Sequence, residues 1–209
     1  MRIAIVGSGN IGRAIARRLS HSGHELFMSS KSGPESLTGL VAEIGPNACA
    51  ATVSESVELS DVAFVAVPYY AIDEVAAAVP DWHGKIVVDV TNYYRSRDGD
   101  ELDPGELSSS SVVAEKLKGA RVVKAFNTIP ARRLERELHV AGSEPDVVFY
   151  AGDDHVASQT VADLIKDAGC MPIKTGSLAA GGKRQEPGSD IYGFSLTKME
   201  AEARLRRAG

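Results

Sequence analysis

The chain has 209 residues, of which 44% are hydrophobic and 24% are charged, a composition typical of a globular protein that excludes a disordered or fibrous chain. The length favours one domain with a substantial core. Because 28 acidic residues outnumber 23 Lys and Arg residues, the formal net charge of −5 excludes the basic surface of a general nucleic-acid binder, and any anionic ligand must be bound locally.

Cysteines and apolar segments bear on the compartment of the protein. Cys49 and Cys170 lack the spacing of a disulfide framework or a zinc site, and the five histidines lack the spacing of a metal site. Residues 3–6 form too short an apolar segment for a secretory signal, and no run approaches the roughly 18 apolar residues of a membrane span. We therefore expect a cytoplasmic protein without a metal site or a membrane segment.

Short β-branched segments alternate with helix-periodic segments along the chain. The predicted strands are residues 3–6, 25–28, 62–67, 85–90, 121–124 and 146–150, with two further short strands at 49–52 and 171–174. The predicted helices are residues 11–22, 35–44, 72–79, 112–117, 130–138 and 155–168. This alternation predicts an α/β fold, a doubly wound and mainly parallel Rossmann sheet with right-handed crossovers.

Three polar segments complete the predicted organisation. Residues 95–111 are rich in Asp, Gly, Ser and Pro and predict a surface loop at the rim of a site. The serines at the end of this segment, residues 108–111, are better suited to cap the N-terminus of the next helix than to act as a nucleophile. Residues 176–190 are Gly-rich, and residues 195–207 predict a polar amphipathic helix. We assign residues 1–180 to a Rossmann domain and residues 181–209 to a C-terminal segment of the same domain.

A glycine-rich loop follows the first predicted strand and opens the first predicted helix. Its residues are Gly7, Ser8, Gly9, Asn10, Ile11 and Gly12, the GxGxxG pattern in the context of a dinucleotide site. Gly7 would form the tight turn, Gly9 would let the backbone approach a pyrophosphate, and Gly12 would let the helix pack closely. Free N–H groups and the helix dipole would then face the phosphates. The alternative is a plain strand-to-helix turn.

The end of the second predicted strand distinguishes NADP from NAD. NAD sites usually place an acidic residue there, about 20 residues beyond the glycines, to bind the ribose 2′-hydroxyl. This chain has Ser29, Ser30 and Lys31 instead, whose hydroxyls and ammonium group suit a 2′-phosphate. We predict NADP(H) as the cofactor. The alternative is that Ser30 and Lys31 only begin a solvated loop.

The ends of the next two strands add candidate ligand contacts, because ligands bind at the carboxyl edge of open α/β sheets. Val67 and Pro68 end one strand, and Asn92 follows the other. Four tyrosines at these ends would either stack on a flat ring or pack as ordinary surface residues: Tyr69, Tyr70, Tyr93 and Tyr94.

These segments occur in an order that resembles a known family. They are residues 7–12, 29–31, 67–68, 89–92 and 122–129, followed by 152–154, 168–169 and 176–178. Over roughly residues 1–180 the chain resembles the coenzyme F420-dependent NADP oxidoreductase family, and it is similar to the NADPH-binding domain of STEAP-type metalloreductases. The resemblance implies hydride transfer between NADPH and a deazaflavin (F420) or flavin such as FMN or FAD. It also implies that Asn127, Thr128 and Ile129 lie near the two rings and that Asn127 positions the nicotinamide.

The C-terminal part departs from the family pattern. Residues 178–187 and the Glu- and Arg-rich tail from Lys198 replace the polar segment and apolar helix that help to form the second cofactor pocket. We therefore expect a homodimer, since part of that pocket must come from elsewhere.

Three functions remain open at this point. The first is an NADP(H)-dependent oxidoreductase that uses a small-molecule electron acceptor, without an assigned catalytic nucleophile, since the cofactors carry the reaction. The second is a non-catalytic NADP(H)-binding module that senses redox state or docks a partner. The third is a β-hydroxyacid or pyrroline-carboxylate type dehydrogenase, which the chain length disfavours because such enzymes need a large helical substrate domain.

Overall fold

The computed structural model of the protein describes residues 1–135 and 144–207. They form one eight-stranded sheet with helices on both faces. The strands are β1 (Arg2–Val6), β2 (Glu25–Ser29), β3 (Ala48–Ala50), β4 (Val62–Val65), β5 (Ile86–Asp89), β6 (Arg121–Ala125), β7 (Val147–Ala151) and β8 (Met171–Gly176). Their order is β3-β2-β1-β4-β5-β6-β7-β8. The first six strands are parallel and have the doubly wound Rossmann order, which confirms the predicted fold class.

Strand β7 reverses the direction of the sheet. It pairs antiparallel with β6 through Lys124 opposite Ala151, and β8 then pairs parallel with β7. The predicted sheet is therefore mainly but not wholly parallel. Because β7 and β8 run against the other strands, β1 to β6 alone form the carboxyl edge of the parallel part of the sheet.

The helices are short apart from α1, α8 and α10. They are α1 (Asn10–Ser20), α2 (Thr38–Ile44), α3 (Val53–Leu59), α4 (Ile72–Ala78), α5 (Arg95–Asp98), α6 (Ser109–Lys116), α7 (Ala131–Leu134), α8 (His155–Asp167), α9 (Leu178–Lys183) and α10 (Lys198–Arg207). Short 3₁₀ turns occupy Pro34–Leu37, Tyr69–Ala71 and Asp100–Leu102. In the described ranges, 1–135 and 144–207, no helix combines the length and apolar character that crossing a membrane requires.

The core consists of apolar layers on the two faces of the sheet. Along β1, Ile3 and Ile5 pack into the layer under α1 and α8, whereas Ala4 and Val6 pack into the layer under α3, α4 and α6. All four residues are at most 1% exposed. A strand buried on both faces needs apolar side chains at consecutive positions, which explains the unbroken run Ile3 to Val6.

Several predicted segments differ from the structure. Residues 95–111 are not one loop, because α5 and a 3₁₀ turn form within them and α6 begins at Ser109, three residues before the predicted start. Ser108 caps α6 by accepting a hydrogen bond from the Ser111 N–H (3.0 Å), as its position indicated. The Gly-rich segment contains α9, so the boundary we placed at residue 180 falls inside a helix. Predicted helix residues 136–138 lie outside the described part of the chain.

Helix α3 is not among the predicted helices. Its N-terminus is a capping box: the Thr52 hydroxyl accepts from the Glu55 N–H (3.3 Å), and the Glu55 carboxylate accepts from the Thr52 N–H (2.9 Å). Thr-x-x-Glu is a recognised sequence signature of a helix start, so residues 52–55 carried the signal.

The C-terminal segment packs against the reversed strands. Ile191 is fully buried, and it forms a third apolar cluster with Phe149 of β7, Ile173 of β8 and Ala201 of α10. Burial of these side chains fixes the segment that follows α9 against the sheet.

Candidate functional site

A cavity of about 770 Å³ opens beside the carboxyl ends of β1, β2 and β4. The sheet order reverses at β1, and ligands of open α/β sheets bind at such a switch point. Of the predicted site residues, the cavity is lined by Gly7, Ser8, Gly9, Ser30, Lys31, Val67 and Pro68. The others lie outside its lining: Asn10, Ile11, Gly12, Ser29, Asn92, Asn127 and Thr128.

The three glycines of the loop have different structural roles. Gly7 has φ +109°, and a Cβ there would lie 2.4 Å from the carbonyl oxygen of Ala66. A Cβ at Gly12 would lie 2.1 Å from the carbonyl oxygen of Gly7. Around Gly9, by contrast, no heavy atom lies within 4 Å of an added Cβ. Gly7 and Gly12 are therefore required by the fold, whereas the absence of a Cβ at Gly9 leaves room on the cavity side for a ligand.

The loop presents the N-terminus of α1 to the cavity. Gly9 is the N-cap residue and has no side chain to accept hydrogen bonds from the first-turn N–H groups. Asn10 is the exposed first residue of α1, and Ile11 packs against the core. Free first-turn N–H groups and the positive end of the helix dipole are features suited to an anion such as a pyrophosphate.

The three residues at the end of β2 have different environments. Ser29 is fully buried, and its hydroxyl accepts a hydrogen bond from Ser56 (3.1 Å). Ser30 Oγ lies 3.1 Å from Ser36 Oγ at the cavity wall. The exposed Lys31 Nζ lies 2.9 Å from Glu74 Oε1 of α4, and hydrogen bonding and charge from Glu74 raise the pKa of Lys31. Of these three residues, Ser30 and Lys31 line the cavity and Ser29 does not.

Residues outside the predicted cofactor-binding set complete the cavity. Thr52 and Ser54, at the start of α3, line one side, and Glu74 and Val75 of α4 line another. Tyr70 also lines it and is 51% exposed, whereas Tyr69 is buried and packs edge-on against Tyr93 (5.6 Å between ring centroids). Of the four tyrosines, Tyr70 alone borders this cavity.

Asn92 and Asn127 meet at the carboxyl ends of β5 and β6. Asn127 Nδ2 donates to Asn92 Oδ1 (2.9 Å) and to the carbonyl oxygen of Gln185 (2.7 Å). Asn92 Nδ2 donates to the carbonyl oxygen of Asn127 (3.0 Å). The buried Asn127 Oδ1 has no hydrogen-bond partner among the described residues. A buried acceptor left open in this way is suited to an amide donor of a ligand.

The backbone just before Asn127 is strained. Phe126 is fully buried and has φ +62°, a left-handed conformation that is costly for a bulky side chain. Its ring packs edge-on against Phe64 at 5.7 Å between centroids. Such strain persists only where the surrounding packing enforces it, so the core determines where Asn127 and Thr128 lie.

A buried ion pair supports the same strand ends. Lys124 of β6 and Asp89 of β5 are fully buried, with Nζ 3.5 Å from Oδ2. Lys124 also donates to the carbonyl oxygen of Thr91 (3.2 Å), and Asp89 accepts from the Thr91 N–H (2.9 Å) and from the Ser110 hydroxyl. These bonds fix the residue that precedes Asn92.

The C-terminal segment covers this second region. The Gly193 N–H donates to the carbonyl oxygen of Thr128 (2.9 Å), and Asn92 Nδ2 lies 3.3 Å from the Tyr192 hydroxyl. The Tyr192 hydroxyl also bonds to that of Tyr94, and burial together with this bond raises the pKa of Tyr192. Gln185, within the stretch 178–187 that departs from the family pattern, therefore contacts Asn127 directly, and Tyr192, which follows that stretch, contacts Asn92.

No group of His, Cys, Asp and Glu side chains suited to hold a metal ion occurs in the part of the chain that the structure describes.

Comparison with known proteins supports the predicted resemblance. The model of the coenzyme F420-dependent NADP oxidoreductases matches residues 2–93. Hypothetical protein SMa0349 from Sinorhizobium meliloti is 34% identical, with a TM-score of 0.86 over 95% of this chain and 96% of that chain. A protein described as an F420-dependent NADP-reductase from Arthrobacter sp. FB24 is 25% identical, with a TM-score of 0.77 over 95% of this chain and 100% of that one.

Metalloreductase STEAP3 of Rattus norvegicus is 30% identical over 179 residues, which is 86% of this chain. The alignment covers 34% of that protein, so the chain spans about a third of its length. The family model over residues 2–93 and the relatives that align along most of this chain support the predicted resemblance to the coenzyme F420-dependent NADP oxidoreductases.

Proposed function

We propose that the protein is an NADP(H)-dependent oxidoreductase that transfers a hydride between NADPH and a flat acceptor, either the deazaflavin F420 or a flavin such as FMN or FAD. The observation that carries the proposal is the glycine loop at the sheet's switch point. Its Gly9 face is open to the cavity. Lys31 lines the same cavity and would supply the positive charge that pairs with a 2′-phosphate.

Different residues would bind different parts of the cofactor. The N–H groups at Gly9 and Asn10 would bind the pyrophosphate, and Ser30 and Lys31 would bind the 2′-phosphate by charge-assisted hydrogen bonds. Val67 and Pro68 supply apolar wall at the end of β4. When bound, the nicotinamide supplies or accepts the hydride.

Asn127 would be a positioning residue in this scheme. Its unpartnered Oδ1 would accept from the carboxamide of the nicotinamide, while its Nδ2 stays bonded to Asn92 and Gln185. Holding two flat rings face to face requires correct orientation rather than a nucleophile. Correct orientation alone can lower the activation free energy by on the order of 7–11 kcal/mol at most. Thr128 would contribute through its backbone, which the C-terminal segment holds.

The test is NADPH consumption with F420, FMN and FAD offered in turn, together with NADPH binding followed by its fluorescence. The proposal expects saturable NADPH binding and turnover with at least one acceptor. NADPH binding without turnover on any of the three would support the second candidate, a non-catalytic NADP(H)-binding module. The observation that favours this alternative is the cover of residues 185–193 over Asn92 and Asn127.

We further propose that residues 1–180 and the C-terminal segment function as one domain, in the cytoplasm, as a homodimer. The third cluster, in which Ile191 and Leu196 pack against Phe149, supports treating the C-terminal segment as part of the domain.

A further inference from the structure

The cofactor cavity contains a charge that works against phosphate binding. Among the described residues that line it, Lys31 is the one cation and Glu74 is the one carboxylate. They approach each other from different elements, Lys31 from the segment after β2 and Glu74 from α4, and Nζ lies 2.9 Å from Oε1. The carboxylate that NAD sites place at the end of β2 is absent from that strand, yet α4 brings one to the same wall.

We propose that Glu74 is a specificity-determining residue, which holds Lys31 in the free protein and so lowers the preference for NADPH over NADH. The inference rests on the proposed function. To bind Lys31, a 2′-phosphate must displace the Glu74 carboxylate. The displaced carboxylate then lies near the phosphate dianion and repels it. NADH presents a ribose hydroxyl there instead, which can donate to a carboxylate without repulsion.

The solvent exposure of the Lys31 and Glu74 side chains limits the effect of Glu74 on NADPH binding. The Lys31 and Glu74 side chains are 81% and 55% exposed, so solvent screens their attraction. Removal of the Glu74 charge should therefore strengthen NADPH binding by about threefold to tenfold rather than by orders of magnitude. NADH binding should stay the same or weaken, because NADH gains nothing from a freed Lys31.

The experiment compares dissociation constants of NADPH and NADH, by fluorescence titration at low salt, for the unaltered protein, Glu74→Gln and Asp73→Asn. Asp73 is the matched control: it lies next to Glu74 on α4, carries the same charge, and pairs with Lys116 (2.6 Å) away from the cavity lining. We expect Glu74→Gln to raise the NADPH to NADH preference by about threefold to tenfold, with most of the gain lost at high salt, and Asp73→Asn to leave it unchanged.

Three results would overturn the inference. Glu74→Gln could leave the preference unchanged or lower it, or both variants could shift it equally, which would indicate a general charge effect. If the unaltered protein binds neither dinucleotide, the proposed function fails together with this inference. Binding of NADPH with no effect of Glu74→Gln rejects the inference alone.

Discussion

Asn92 and Asn127 bond each other reciprocally across the ends of β5 and β6. The Asn127 side chain donates to the Asn92 side chain (2.9 Å), and the Asn92 side chain donates to the Asn127 backbone carbonyl (3.0 Å). The Arg97 guanidinium adds a further hydrogen bond by donating to the carbonyl oxygen of Asn92 (2.5 Å). Two adjacent strand ends are thereby locked in one relative position, with an open acceptor, Asn127 Oδ1, in the middle.

Replacing Asn127 should disturb the orientation of the nicotinamide more than the affinity for NADPH. Asn127→Asp retains the shape and an acceptor but removes both donated bonds, so the free energy of unfolding should fall by about 1–3 kcal/mol. Hydride transfer in single-turnover experiments should slow by about tenfold or more, while the dissociation constant of NADPH changes less. An unaltered single-turnover rate in a folded variant would remove Asn127 from the positioning role.

Gly9 and Gly12 form a matched pair for the glycine loop. Gly9→Ala places a methyl group where the chain has no neighbour within 4 Å, so the protein should fold normally and lose NADPH binding. Gly12→Ala places a methyl group 2.1 Å from the Gly7 carbonyl oxygen and should lower thermal stability. NADPH fluorescence titration and thermal unfolding of both variants check this, and normal NADPH binding by Gly9→Ala would show that the pyrophosphate does not bind at the loop.

The end of β2 should determine cofactor preference. Ser30→Asp should reverse a preference for NADPH, because a carboxylate there accepts the ribose 2′-hydroxyl and repels a 2′-phosphate. Two charge-assisted contacts of about 1.5 kcal/mol each correspond to about a hundredfold preference, and less where Lys31 remains solvated or held by Glu74. Ser29→Ala is the control, since the buried Ser29 should leave the preference intact. Equal binding of NADH and NADPH by the unaltered protein would contradict the assignment.

Asp98 should make stability depend on pH. Its side chain is fully buried, which opposes ionisation, but hydrogen bonds from Arg97 and from the Tyr94 and Tyr70 N–H groups keep its pKa below the ordinary value. A lowered folded-state pKa stabilises the fold above the unfolded-state pKa, and that contribution disappears as pH falls through the folded-state pKa.

Asp98→Asn should therefore unfold more easily by about 1–3 kcal/mol at neutral pH, and the difference from the unaltered protein should shrink below about pH 4. Denaturant unfolding at several pH values measures this, with the exposed Glu115→Gln as a control. A difference independent of pH would show that the charge of Asp98 does not contribute.

The homodimer stays a prediction. Light scattering at micromolar concentration should give twice the 22.1 kDa mass of the chain, because symmetric dimers are the commonest soluble oligomers and the second cofactor pocket is expected to need a partner. A mass of one chain across the concentration range would contradict it.

Local sequence patterns determined the fold class and the glycine loop of this protein. Consecutive apolar residues such as Ile3 to Val6 suit a strand buried on both faces of a sheet, and glycines at three spaced positions after such a strand suit one type of turn. The absence of an acidic residue at the end of β2 is an equally local signal. Each of these signals depends on backbone geometry within a few residues.

Tertiary structure alone decided which side chains share a site. The reversal at β7, the burial of Ser29 and the meeting of Lys31 with Glu74, 43 positions apart, depend on which faces the packed elements turn towards each other. The contact between Asn127 and Gln185 joins residues 58 positions apart. Such contacts follow from the packing of whole helices and strands, and residue spacing along the chain does not encode them.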